Sequence, residues 1–153
     1  MATTDVVPIA RARRRTVGDD GSAPIDVAGL EAELRRQLDG EVRFDGGSRA
    51  LYATDGSNYR QVPIGVVIPR TVDDVVAAVD HARAAGLRVA VQGTGHGAGS
   101  TPLDGALLIN MARMTGVEVD ARAQIARVAG GTLWRDVVDA AVGHGLTALH
   151  GSA

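Results

Sequence analysis

Apolar residues recur at helical spacing through Val27, Leu30, Leu34 and Leu38, while Arg35 and Arg36 fall on the opposite side. Asp26 precedes the run as a good N-cap and Gly40 follows it as a stop, so a first helix is predicted there. "EVRF" then reads as a short strand. "SRALYATDGSNYR" reads as a short helix opened by Ser48 and a loop broken at Gly56. "GVVIPR" is a strand ended by Pro69. Thr71 with Asp74 three residues on is an acidic form of the capping box. It opens a second helix whose buried stripe is expected to be Val72, Val75, Val76, Val79 and Ala82, with Gly86 as terminator. "LRVAVQ" is the next strand. Strand, helix and strand in succession make a βαβ unit, so the two strands should run parallel.

Further along, "ALLIN" is apolar without alternation and reads as a buried strand. "GVEVDARAQIARVAGG" alternates on both sides of Asp120, Ala121 and Arg122, which predicts a hairpin. Thr132 should cap a third helix with Leu133, Val137, Ala141 and Val142 turned inward and Trp134 in the core, closed by Gly143 and Gly145. "LTAL" suggests another strand, after which "HGSA" ends the sequence. A strand left unpaired there exposes an edge, which implies one part of a larger protein. At the other end, Arg11, Arg13, Arg14 and Arg15 are followed by Gly18, Asp19, Asp20 and Gly21 rather than by an apolar stretch. Residues 1–23 therefore read as a flexible tail and not a secretory signal, and a cytoplasmic location without a membrane span is expected.

Composition narrows the chemistry. The 153 residues carry 16 basic and 18 acidic side chains, a net charge of -2, which argues against a nucleic-acid partner. Cysteine is absent, which removes disulfides, thiolate catalysis and cysteine-held metals. Every basic residue is arginine. Without lysine there is no Schiff base for pyridoxal phosphate and no Walker A site. Four histidines occur, at 81, 96, 144 and 150, with no helical metal spacing, so no metal site is expected.

The chemistry-bearing stretch is "VAVQGTGHGAGS", residues 89–100, with glycines at 93, 95, 97 and 99 around His96. Such backbone allows positive φ, and its successive N–H groups can converge on an anion. No arginine lies between Val89 and Asn110, so a phosphate here would be held mainly by main-chain donors. Gly93, Gly95 and Ala98 also satisfy a dinucleotide fingerprint, but that motif must open a helix, and Pro102, Asp104 and Gly105 are turn residues. A plain connection bearing a surface histidine is the competing structural reading. Tyr52, Asp55, Ser57, Tyr59 and Arg60 form a second polar cluster, read as a solvated loop.

The run "PIGVVIPRTVDDVVAAVDHARAAGLRVAVQGTGHGAGS" resembles the start of the FAD-binding domain of the PCMH-type, or vanillyl-alcohol-oxidase-like, flavoproteins. "GALLINMARMTGVEVDARAQIARVAGGTLWRDVVDAA" and "HGLTALHGSA" resemble the later segments of that domain, so the likeness covers residues 42 to 153. It implies an α+β fold, the N-terminal part of a two-subdomain FAD-binding domain. A small parallel βαβ unit is followed by the start of a mixed or antiparallel sheet with helices. Residues 24–110 would be the first subdomain and 111–153 the truncated second.

In the branch resembling berberine-bridge and hydroxynicotine oxidases, the loop histidine carries FAD on its 8α carbon, and His96 occupies that position. An unperturbed imidazole, with pKa about 6.5, is a neutral nucleophile at cytoplasmic pH. The resemblance assigns cofactor binding to Gln92, Gly93, Thr94, Gly95, His96, Gly97, Ser100, Gly151 and Ala153. Where bicovalent members carry a cysteine stands about Ala153, so at most one covalent link is implied. "LYATDGSNYRQVP" instead resembles the D-lactate and glycolate dehydrogenase branch, whose FAD is not covalent, and Thr94 departs from the usual small residue.

The parent would oxidise a small organic substrate by hydride transfer to flavin, with no protein partner evident. Its catalytic base and substrate domain would lie beyond residue 153. This chain alone would be inactive and bind FAD weakly. A non-catalytic remnant of the same fold is the alternative from another class.

Overall fold

The computed structural model of the chain describes residues 24–57, 59–97 and 102–149. Strands β1 (Glu41–Arg43), β2 (Gly65–Ile68), β3 (Val89–Gln92) and β4 (Leu107–Asn110) form one sheet in the order β1-β2-β4-β3. β1 runs antiparallel to β2, whereas β2, β4 and β3 are mutually parallel. The βαβ strands are thus parallel as expected, but β4 lies between them. Its unalternating sequence explains the placement: Leu107, Leu108 and Ile109 are all fully buried, as a central strand covered on both faces requires. β3 takes the edge, with Ala90 buried and Val89 and Val91 exposed.

Helices α1 (Val27–Gln37) and α3 (Val72–Ala84) cover one face of this sheet, and the short α2 (Gly46–Leu51) follows β1. The larger core lies beneath α1 and α3: Leu30, Leu34 and Leu38 meet Val42, Phe44, Val67, Leu107 and Ile109 through Ala78 and Ala82. His81 on α3 pairs with the side-chain oxygen of Gln37 on α1 at 3.0 Å. The opposite face carries Val66, Ile68, Ala90, Ala106 and Leu108, covered by Tyr52 and Leu103. Beyond β4 the hairpin of β5 (Val117–Asp120) and β6 (Ile125–Val128) forms a separate antiparallel sheet, followed by α4 (Trp134–Val142). The α+β class is thereby established. No helix among the described residues is long and apolar enough to cross a membrane.

Local chemistry sets several boundaries as expected. The Asp26 carboxylate accepts the Gly29 N–H at 2.9 Å, and Thr71 and Asp74 form the reciprocal box that starts α3. Other expectations are corrected. α1 ends at Gln37, before Gly40, when the Leu38 N–H returns to the Leu34 carbonyl. Val27 lies at the partly exposed end of the helix, not in its buried stripe. Asp45, not Ser48, opens α2, its carboxylate accepting the Ser48 N–H at 2.8 Å. On α3 the buried side chains are Asp74, Ala78 and Ala82, while Val72, Val76 and Val79 face outward. Ala78 and Ala82 pack into the core with Ala77 beside them, and of the expected valines Val75 is half-buried. α4 begins after Leu133 with no side-chain cap, because the Thr132 hydroxyl is taken by both backbone groups of Gly116. Val137 and Ala141 are its buried face; Leu133, Trp134 and Val142 are exposed. Residues 146–149 form no strand.

Asp74 is the only acid among the described residues that is buried. Its two oxygens accept the N–H groups of Asp39 at 2.8 Å, Arg70 at 2.8 Å and Thr71 at 3.2 Å, tying the α1–β1 corner to the start of α3. Burial pushes its pKa up, but the backbone donors of Arg70, Asp39, Thr71 and Gly40 together outweigh burial and hold it below the usual carboxylate value of 3.8. A lowered folded-state pKa stabilises the fold above the unfolded value, and that stabilisation disappears as pH falls through the folded one. Asp74→Asn should therefore cost about 2 kcal/mol at neutral pH and progressively less as pH falls below the usual carboxylate value of 3.8. Urea unfolding across that range checks this; an equal deficit at both ends would contradict it.

Candidate functional site

The site is built where the parallel strands β3 and β4 end. Gln92 is the last residue of β3, and residues 93–97 leave the sheet from it without forming a helix. Gly95 has φ +81°, a left-handed conformation that turns the loop back and that a side chain would strain. Among the described residues, the N–H groups of Gly93, Thr94, Gly95, His96 and Gly97 have no acceptor. A fingerprint helix is absent from 93–97 and from 102–106, in keeping with turn chemistry.

Two clefts flank this loop. The larger, about 610 Å³, is lined by Gln92, Gly93, Thr94 and Gly95 on one side and by Asn110, Ala112, Thr115, Gly131 and Asp136 on the other. Leu51, Tyr52, Leu133 and Thr54 complete its wall. The smaller, about 260 Å³, lies over Ala53, Ala90, Leu103 and Leu108, with His96 and Gly97 at its rim. Among the described residues no arginine lines either one, so main-chain N–H groups, amides, hydroxyls and the His96 ring are the donors on offer.

The loop is held by backbone contacts on both sides. A Cβ on Gly93 would come within 2.8 Å of the Gly130 carbonyl oxygen, so β3 meets the β6–α4 connection main chain to main chain. Gly131 is tighter still, with its Cβ position 1.9 Å from the Met111 carbonyl oxygen. On the other flank, a Cβ on Gly97 would lie 3.2 Å from the Asp55 carboxylate. That carboxylate also accepts the Ser57 N–H at 2.8 Å, and the Ser57 hydroxyl accepts the Tyr59 N–H at 3.2 Å. Gln61 anchors the far wall, its side-chain oxygen accepting the N–H groups of Leu103 and Asp104.

The expected residues Gln92, Gly93, Thr94, Gly95, His96 and Gly97 are thus brought together, while Ser100, Gly151 and Ala153 lie outside the described residues, as do His150 and the tail. The 52–60 loop is a largely solvated connection as expected, and within it Asp55, Ser57 and Tyr59 line the same cleft as His96. Sequence reasoning also missed Asn110, Thr115, Gly131 and Asp136. Asn110 had a signal, being a polar residue at the end of an otherwise apolar central strand. It is buried, and its side chain joins Gln92 across the sheet at 2.9 Å.

The model of a family described as the FAD binding domain matches residues 63–152, more than half of the chain. An uncharacterised oxidoreductase of the fasciation locus of Rhodococcoides fascians is 40% identical over 79 residues, 51% of this chain and 18% of that protein. The structure of 6-hydroxy-D-nicotine oxidase from Arthrobacter nicotinovorans superposes with a TM-score of 0.63 at 28% identity, covering 74% of this chain and 26% of the enzyme. Glucooligosaccharide oxidase from Acremonium strictum, whose FAD is described as 6-S-cysteinyl, 8α-N1-histidyl, superposes at 0.61 and 27% identity, over 73% of this chain and 25% of that one. The chain therefore spans about a quarter or less of the length of these proteins.

Proposed function

Because this chain belongs to the FAD-binding domain family, we propose that it is the N-terminal cofactor-binding part of an FAD-dependent oxidoreductase acting on a small molecule, with FAD attached covalently to His96. The observation that carries the reading is the row of five main-chain donors from Gly93 to Gly97, without a described acceptor, beside the larger cleft. The donor set suits a diphosphate. Successive N–H groups stabilise anionic oxygens without a positively charged side chain, and the left-handed turn at Gly95 lets the backbone approach closely. When bound, FAD supplies hydride acceptance; the protein supplies binding, orientation and electrostatics.

In this proposal residues 24–110 form the first cofactor-binding subdomain and 111–153 the opening of the second, which meet where Gly93 touches Gly130. Gln92 and the loop amides hold the diphosphate. His96 is exposed and lines the smaller cleft, where its imidazole would be available to the cofactor. His96 would be the residue that carries the cofactor, through one of its ring nitrogens. The histidyl FAD of glucooligosaccharide oxidase supports the assignment. Since the chain spans about a quarter or less of its relatives' length, the substrate site and catalytic base would lie in the rest of such a protein.

Acid precipitation of the full-length protein tests the proposal. Flavin colour should stay with the pellet. Colour in the supernatant would mean non-covalent FAD, as in a D-2-hydroxyacid dehydrogenase, and a protein without a flavin absorbance band would remove the function altogether.

A further inference from the structure

We infer that Asn110 is a positioning residue that makes Gln92 present its amide NH₂, and not its carbonyl oxygen, toward the glycine loop. The inference rests on the diphosphate reading of that loop. It comes from a chain of hydrogen bonds in which each donor dictates the next. The Ala112 N–H can only donate, so the Asn110 atom 3.0 Å from it is the oxygen. Its other amide atom is then the nitrogen, a donor, and it points at Gln92 from 2.9 Å. The Gln92 atom facing it must be the oxygen. The Gln92 nitrogen is thereby turned toward Gly95, 3.6 Å from where a Cβ on that residue would sit.

Two neutral amides in series thus convert the fixed polarity of one backbone N–H into a donor directed at the loop. Both side chains line the larger cleft beside Gly93, Thr94 and Gly95. Asn110 is buried, so bulk water does not compete for its bonds and the alternative orientation would set two donors or two acceptors face to face. In a cleft whose described lining lacks arginine, a correctly turned amide adds a donor to the hydroxyls of Tyr52, Thr54, Thr94 and Thr115.

A double-mutant cycle tests the inference, with ADP as probe and adenosine as the phosphate-free control, titrated into the chain and followed by the amide shifts of Gly93, Gly95 and Gly97. ADP should bind in the millimolar range. Gln92→Met should weaken ADP about tenfold, the loss of one hydrogen bond to a charged group. Asn110→Leu should weaken it about threefold to fivefold, and should have no further effect in the Gln92→Met background. Adenosine affinity should stay constant throughout, which also reports that the cleft is folded. An unchanged ADP affinity in Gln92→Met would overturn the inference while leaving the loop reading intact. An equal loss from Asn110→Leu in both backgrounds would show that Asn110 acts through the fold, and would overturn it as well. If the unaltered chain takes ADP no better than adenosine, the diphosphate reading fails and the inference goes with it.

Discussion

Gly131→Ala is expected to destabilise the fold by about 3 kcal/mol or more, because among the glycines with a described Cβ environment its added methyl meets the closest contact. The added Cβ would lie 1.9 Å from the Met111 carbonyl oxygen, 2.7 Å from its carbon and 3.1 Å from the Ala112 Cα. All three are main-chain atoms, so no rotamer change relieves the overlap. The neighbourhood is also tied down: the Gly131 N–H donates to the Met114 carbonyl at 3.0 Å, and Met111 itself donates to the Gln92 carbonyl at 2.8 Å. Relief requires the β6–α4 connection to move away from the end of β4, which also withdraws Gly130 from Gly93. Urea midpoints should record the loss, with Gly46→Ala as the control because no atom lies within 4 Å of its Cβ position. Equal midpoints for the two variants would show that the contact between the sheets is slack.

His96→Ala should abolish acid-stable flavin completely while leaving a reversibly bound cofactor. The separation reflects where the two contributions reside. Attachment needs a nucleophilic side chain, and in this loop His96 is the only one with a ring nitrogen. Diphosphate binding is assigned to backbone N–H groups, which alanine keeps. The φ of Gly95 and the contact of Gly93 with Gly130 do not depend on the imidazole. Native gel filtration followed by acid precipitation reads both quantities, with flavin co-eluting with the variant and then leaving the pellet. Flavin that remains in the acid pellet of His96→Ala would place the link on another residue. Flavin lost already on the column would mean that the bond, and not the amides, retains it.

What the sequence revealed was the chemistry that acts over a few residues. Asp26 and the Thr71–Asp74 pair mark helix starts because a cap is satisfied within three positions, whatever the rest of the chain does. The unbroken LLIN run located the central strand, and the glycines around His96 located the loop. Two boundaries were misread for local reasons, the end of α1 and the Asp45 cap of α2; the other misread elements depend on partners far along the chain. Thr132 looks like a cap, but its hydroxyl is claimed by Gly116, 16 residues earlier. Val72, Val76 and Val79 look like a core stripe. Instead the side of α3 that offers alanines and a carboxylate turns inward, because Asp39 supplies the carboxylate's partner from 35 residues away. Asp55, Ser57 and Tyr59 have no helical or strand spacing, so only the fold could place them beside His96. Asn110 became interpretable once β3 and β4 were adjacent, since its bond to Gln92 crosses the sheet.

The outward valines have a consequence for handling the polypeptide. Val72 and Val76 are 67% and 54% exposed on one helix, and Val91 is 58% exposed on β3, which ends the sheet among the described residues. Water gains by shedding such surface, and with a net charge of -2 there is little repulsion to keep molecules apart. Concentrated stocks will therefore favour clustering of identical molecules, so measurements on this polypeptide belong at low concentration.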